Sequence, residues 1–155
     1  MTHTHTYRSC LSWQGSTGAG YDAYDRTHRV ATPPAETDLV LSSDPAFRGS
    51  PGLANPEQLL LAAASSCQLL SFLAMAARSR IDVVAYDDDA EAEMPEGEKP
   101  VRITRIILRP RILVAAGTDL DRARRLVDRA HHGCYIANTL TAEIVLEPVI
   151  DHAPA

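Results

Sequence analysis

Residues Tyr7, Ser9, Leu11 and Trp13 alternate with Arg8, Cys10 and Ser12, and this period of two predicts a strand. The glycine-rich GSTGAG that follows reads as a turn or loop. Short β-prone runs at 26–32 and 37–42, separated by Pro33-Pro34, extend the pattern into a small antiparallel meander. A loop rich in Ser, Gly and Pro occupies 43–54. At Asn55 the pattern changes sharply. Asn55 suits an N-cap, Pro56 the first helical position, and Gln58 can close a capping box. The helix is expected to run to about Ser79, roughly 36 Å at the usual rise per residue. Its apolar residues cover nearly every side, which predicts burial at the centre of the structure.

Two long strands are expected at 81–94 and 101–114, joined by a PEGEKP turn into a hairpin. In the second, the apolar phase moves from Val101 and Ile103 to Ile106 and Leu108, which predicts a bulge. Thr118 or Asp119 then caps a helix with Leu120, Ala123, Val127 and Ala130 on one stripe and Gly133 as its stop. A short helix or turn at 134–140 and a last strand through Ala142, Ile144 and Leu146 complete the order β-β-β-α-β-β-α-β. Strands dominate and no βαβ rhythm is present, so the fold class is α+β, in a single domain over 1–155.

The uncharged stretch from Gln58 to Ala77 is long enough to span a membrane. Two glutamines, three serines and six alanines within it weaken insertion, and a buried core helix is the expectation. Met1 to Thr6 has neither a basic region nor an apolar one, so no targeting segment is expected there, and the location is expected to be cytoplasmic. With 15 basic and 20 acidic residues the net charge is −5, which argues against gripping nucleic acid through bulk charge. Three cysteines without a CxxC pair build neither a disulfide scaffold nor a zinc ribbon.

Cysteine chemistry remains. Cys67 lies in the long helix and Cys134 directly after the second one, each in a neutral polar setting (SSCQ and GCY). A buried free cysteine is commonly inert packing. The alternative is a redox pair, which requires something to lower the pKa of one thiol. Cys67 is too far into its helix for the dipole to act, so a nearby guanidinium is the expected device. Glu57, in the first turn, complements the helix dipole. Should it act at the thiol instead, about 15 Å and a different helix face separate it from Cys67. A bend, or service to the cysteine of a neighbouring chain, is then needed.

The run NPEQLLLAAASSC from Asn55 to Cys67, followed by HHGCYIANTL, resembles the OsmC/Ohr family of osmotically inducible and organic hydroperoxide resistance proteins. The resemblance covers most of the chain. It implies an intertwined homodimer in which two antiparallel sheets wrap long central helices, and a thiol-dependent peroxidase acting on organic hydroperoxides. By the same resemblance Cys67 is the peroxidatic thiol, Cys134 the resolving thiol, and Glu57 the carboxylate that orients an activating arginine. Two arginines before the motif compete for that last role: Arg48 in AFRGSPG, the first choice, and Arg26 in YDRTHRV. An external dithiol, for which the resemblance implies a lipoylated protein, would close the cycle without metal or bound cofactor.

Other residues read as bland. Cys10 is an inert strand thiol, and adjacent His131 and His132 point about 100° apart on a helix and make a poor metal pair. Arg122, Arg124, Arg125 and Arg129 alternate with Asp119, Asp121 and Asp128 as a solvated face. Apolar Leu69, Leu70 and Phe72 around Cys67 favour hydroperoxides with hydrocarbon bodies. The rival reading is a non-catalytic dimer that binds an apolar ligand, with both cysteines structural.

Overall fold

The computed structural model describes residues 3–97 and 99–154, so position 98 of the expected PEGEKP turn lies outside the described residues. Contacts divide the chain into two compact units, up to Leu59 and from Leu60 onward.

The first unit is an antiparallel meander of β1 (Cys10–Ser12), β2 (His28–Ala31) and β3 (Leu39–Leu41), in the expected order. Leu11 pairs with Val30, and Val30 with Leu39. Beyond β3, Asp44 caps a 3₁₀ turn at Pro45–Phe47 by accepting from the Ala46 N–H at 2.8 Å. Arg48 closes that turn with φ of 67°, a left-handed conformation rarely adopted outside glycine. Gly49 follows because no other residue fits: a Cβ there would lie 1.6 Å from the Ser43 carbonyl oxygen.

Helix α1 (Pro56–Arg78) starts in the first unit with the expected reciprocal cap. The Gln58 N–H donates to Asn55 Oδ1 at 2.8 Å, and the Asn55 N–H to Gln58 Oε1 at 3.1 Å. It continues into the second unit, where Ala64, Gln68, Phe72 and Ala76 form one buried stripe at four-residue spacing. All-round burial is not reached within the chain. Leu70 is 63% exposed, and Leu73, Ala62, Ala63, Ala74 and Ala77 also face outward.

The expected hairpin is present, but each of its strands is broken in two. β4 (Val83–Asp88) pairs with β7 (Pro110–Val114), and β5 (Glu91–Glu93) with β6 (Arg105–Leu108), both antiparallel. The break follows from residues at the joint. Pro110 has no N–H, and the Arg109 N–H donates to Asp88 Oδ1 at 2.7 Å rather than to a strand carbonyl. The other Asp88 oxygen accepts from the Ser65 hydroxyl, which ties the joint to α1. The bulge expected near Ile103–Ile106 therefore gives way to a full interruption at Arg109. A register shift occurs instead in β4, between Val83 and Ala85.

The chain end also departs from expectation. Two strands stand where one was expected, β8 (Glu143–Leu146) and β9 (Val149–His152), parted at Glu147-Pro148. β8 runs parallel to β6 and β9 parallel to β7, so the second unit holds two mixed three-stranded sheets, β5-β6-β8 and β4-β7-β9, in place of purely antiparallel ones. Helix α2 (Leu120–His132) is capped by Asp119, which accepts from the Arg122 N–H at 3.0 Å, and stops at Gly133. Its buried residues Ala123, Leu126, Val127 and Ala130 pack with Phe72 and Ala76 of α1 and Ile112, Val114 and Ile150 of the sheet. A second core joins Ala64 to Ile106 and Leu108. Both cores grip the same stripe of α1, which fixes the position of Cys67 beside it.

Candidate active site

Cys67 sits one residue before the buried Gln68, on the edge of the α1 stripe, and is half-buried. Gln68 is fully buried, and its Nε2 donates to the Val127 carbonyl at 3.1 Å, pinning this turn of α1 to α2. Cys134 is 1% exposed, directly after Gly133 ends α2. Both thiols are free, and each acts on the other's ionisation: Cys134 favours the charged form of Cys67, and Cys67 disfavours that of Cys134.

Cys67 opens onto a cleft of about 510 Å³, lined by Leu70, Ser71 and Met75 of its own helix and by Tyr135 and Ile136 across from it. Burial pushes the Cys67 thiol up. Hydrogen bonds from Cys134, the Ile136 backbone, the Ser71 hydroxyl and the Tyr135 backbone outweigh it, and the thiol stands below its ordinary value. Cys134 is shifted the opposite way, raised by burial and by donating to Cys67, against which the Ala137 N–H at 3.5 Å from its sulfur works. The pair thus sets the more readily ionised sulfur at the cleft and the more resistant one in the interior beside it.

A second cleft, about 420 Å³, belongs to the first unit. Leu11, Trp13 and Phe47 give it apolar walls, and Arg26, His28 and Glu57 line it with polar groups. Arg26 is only 9% exposed. Its Nη1 donates to the Tyr24 carbonyl at 2.8 Å and its Nη2 to the Tyr21 carbonyl at 2.6 Å. The guanidinium carbon lies 3.9 Å from the Tyr24 ring centre and 4.7 Å from that of Tyr21. His28 Nδ1 donates to the Arg26 carbonyl at 2.8 Å, because a carbonyl only accepts.

Arg48, the first choice from sequence, is placed differently. Its Nε pairs with Asp22 at 3.1 Å, with the two side chains 62% and 76% exposed, and it does not line the cleft that Glu57 and Arg26 share. Cys10 is exposed in β1. The rings of His131 and His132 are 5.9 Å apart, and no group of three metal-ligating side chains exists among the described residues. The sequence reading did not assign Ser71, Tyr135 and Ile136 to the site. The four-residue spacing of Cys67 and Ser71 on one helix was the available signal for the first. The other two follow Cys134 directly.

The OsmC-like protein family matches this sequence over residues 49–149, from just before the α1 cap to the first residue of β9. The chain belongs to the OsmC-like family. Within it, this OsmC-like chain is 28% identical over 101 residues to peroxiredoxin OsmC of Escherichia coli K12, covering 65% of this chain and 69% of that relative. Among solved structures, an OsmC-like protein of unknown function from Vibrio cholerae superposes with a TM-score of 0.84 at 25% identity, over 94% of this chain and all of the other. An organic hydroperoxide resistance protein OsmC from Legionella pneumophila superposes with a TM-score of 0.69 at 19% identity, over 97% of this chain and 99% of its own, a likeness of fold. The α+β class expected from the sequence is thus the OsmC-like fold.

Proposed function

We propose that this protein is a thiol-dependent peroxidase that reduces organic hydroperoxides. The reading rests on one observation above all: Cys67 opens onto a cleft while Cys134 is buried beside it, and the two thiols shift each other's ionisation in opposite directions, Cys67 downward and Cys134 upward. The names of relatives, a peroxiredoxin and a hydroperoxide resistance protein, point the same way.

The chemistry balances with these residues. The Cys67 thiolate attacks the outer oxygen of ROOH; the S–O bond forms as the O–O bond breaks, and the alkoxide leaves with a proton as ROH. Cys67 is then a sulfenic acid. Cys134 attacks its sulfur, water leaves, and a Cys67–Cys134 disulfide remains for an external dithiol to reduce. A lipoylated protein is the dithiol in this account, and the cytoplasm its setting.

In this account Arg26, oriented with Glu57, polarises the peroxide, and Arg48 has no part. Support for this choice is the burial of Arg26, its clamp of two carbonyls and two tyrosines, and the cleft it shares with Glu57. Glu57 lies about 15 Å along α1 from Cys67, so this pair serves the cysteine of a second copy. The outward apolar side of α1, with Leu70, Leu73 and a run of alanines, supports a dimer formed on that side. Addition of cumene hydroperoxide to reduced protein should consume two thiols per peroxide within seconds. Thiols that persist while an apolar ligand binds would favour the non-catalytic dimer.

A further inference from the structure

A buried guanidinium is ordinarily held by a carboxylate. Arg26 is nine-tenths buried, yet among the described residues it makes no ion pair. Two tyrosines just before it in sequence meet the charge instead, and each does so twice. Tyr24 offers its carbonyl at 2.8 Å and its ring face at 3.9 Å; Tyr21 offers its carbonyl at 2.6 Å and its ring face at 4.7 Å. The turn that allows this opens at Gly20, whose φ of 92° favours a residue without a Cβ, and the Ala23 N–H donates back to the Gly20 carbonyl at 3.2 Å.

Of the two rings, that of Tyr24 is the better anchored. Trp13, one residue past β1, stands edge-on to it with centroids 6.2 Å apart and planes at 88°. The Trp13 Nε1–H donates to the Asp25 carbonyl at 2.7 Å, which ties the segment to the end of β1. Asp25 Oδ1 accepts from the Thr27 N–H at 2.9 Å and from its hydroxyl at 2.7 Å, which ties it to the start of β2. Tyr21 meets Tyr24 edge-on as well, at 6.4 Å and 76°. The Tyr24 ring is thus packed between Trp13, Tyr21 and the Arg26 guanidinium, all in the first unit, and with Trp13 and Arg26 it lines the same cleft.

We infer that Tyr24 is a positioning residue for Arg26, its ring face holding the guanidinium in one orientation at the cleft. The inference deepens the peroxidase reading and rests on it, since Arg26 is there the group that polarises the peroxide. A guanidinium has five N–H donors, and the two carbonyls take one from each terminal nitrogen, so the clamp leaves donors over for a ligand. A long, rotamer-rich side chain ordered in advance does not have to be ordered by the substrate. Any residue at position 24 supplies the carbonyl; only an aromatic one supplies the ring. The contact with Arg26 is made by the ring face, so the hydroxyl is dispensable.

Two readouts on the reduced full chain test this. Phenylglyoxal modification, read arginine by arginine by peptide mass spectrometry, should find Arg26 protected in wild type and Tyr24→Phe. In Tyr24→Leu its reaction should be about tenfold faster, with Arg48 unchanged. Tyr24→Met, which fills the space without a ring, should match Tyr24→Leu and replaces it should that variant not fold. Oxidation of Cys67 by cumene hydroperoxide should be about tenfold slower in the ringless variants, and within about twofold of wild type in Tyr24→Phe. In an Arg26→Ala background the ringless change should add nothing. Equal losses in Tyr24→Phe and Tyr24→Leu, an undiminished loss in the Arg26→Ala background, or wild-type oxidation without the ring would overturn the positioning role. Phenylglyoxal needs no peroxide, so proteins that release Arg26 as expected while all ignore hydroperoxides would support the Tyr24 clamp and refute the peroxidase reading alone.

Discussion

Cys134, buried directly after α2, acts on the ionisation of Cys67 in α1, although an entire hairpin and helix α2 separate them in sequence. The influence has a direction: ionisation of Cys67 is eased and that of Cys134 resisted. The two positions should therefore behave differently on substitution. Cys67→Ser should abolish peroxide reduction outright, and Cys134→Ser should complete one reduction and stall as a sulfenic acid that a dimedone probe captures. Equal first turnovers in Cys67→Ser and wild type would contradict the assignment.

The arginines separate in the same assay. Arg26→Ala should slow oxidation of Cys67 by an organic hydroperoxide about a hundredfold, the loss of one positioned charge in the transition state. Arg48→Ala removes an exposed ion pair and should change stability by less than about 1 kcal/mol, with the oxidation rate within a few-fold of wild type. The reverse pattern would return the role to Arg48.

Helix α1 makes a prediction about assembly. A helix buried on one stripe, with Leu70 and Leu73 turned outward, leaves a large apolar side open in one chain. Sedimentation at micromolar concentration should show a dimer. A Leu70→Arg variant should dissociate it, and a stable wild-type monomer would remove the basis for a shared site.

What was legible in the sequence was mostly local. The N-P-E-Q run foretold the reciprocal Asn55–Gln58 cap because all its partners lie within four residues. Asp119 and Gly133 marked α2 for the same reason. The break in the hairpin was hidden because Asp88, a residue of one strand, takes the Arg109 N–H of the other while holding Ser65 of α1. Parallel pairing of β8 and β9 likewise depends on distant partners, Ile144 on Ile106 and Ile150 on Ile112, that no periodicity reveals. At the site, both cysteines were evident as residue types in suggestive positions. The turn that brings Tyr135 and Ile136 onto Cys67 was not, because its cause is tertiary: α2 docking on Phe72 and Gln68.

The cap itself is measurable. Asn55→Ala loses both its bond to the Gln58 N–H and its 3.3 Å contact with Asp44 Oδ2, and should destabilise the protein by about 1–2 kcal/mol in urea unfolding. Gln58→Ala, which loses only the return bond at Asn55, should cost less. A Gln58 effect as large as that of Asn55 would mean that the two are not simply a cap.

Disulfide mapping after a single addition of cumene hydroperoxide tests the central claim most directly. Reduced protein, treated with one equivalent per chain, blocked and digested, should give a Cys67–Cys134 linked peptide within one chain as the dominant product, with Cys10 still free. A product in which Cys67 and Cys134 both remain as unmodified thiols, or in which oxidation falls on Cys10 alone, would contradict the account.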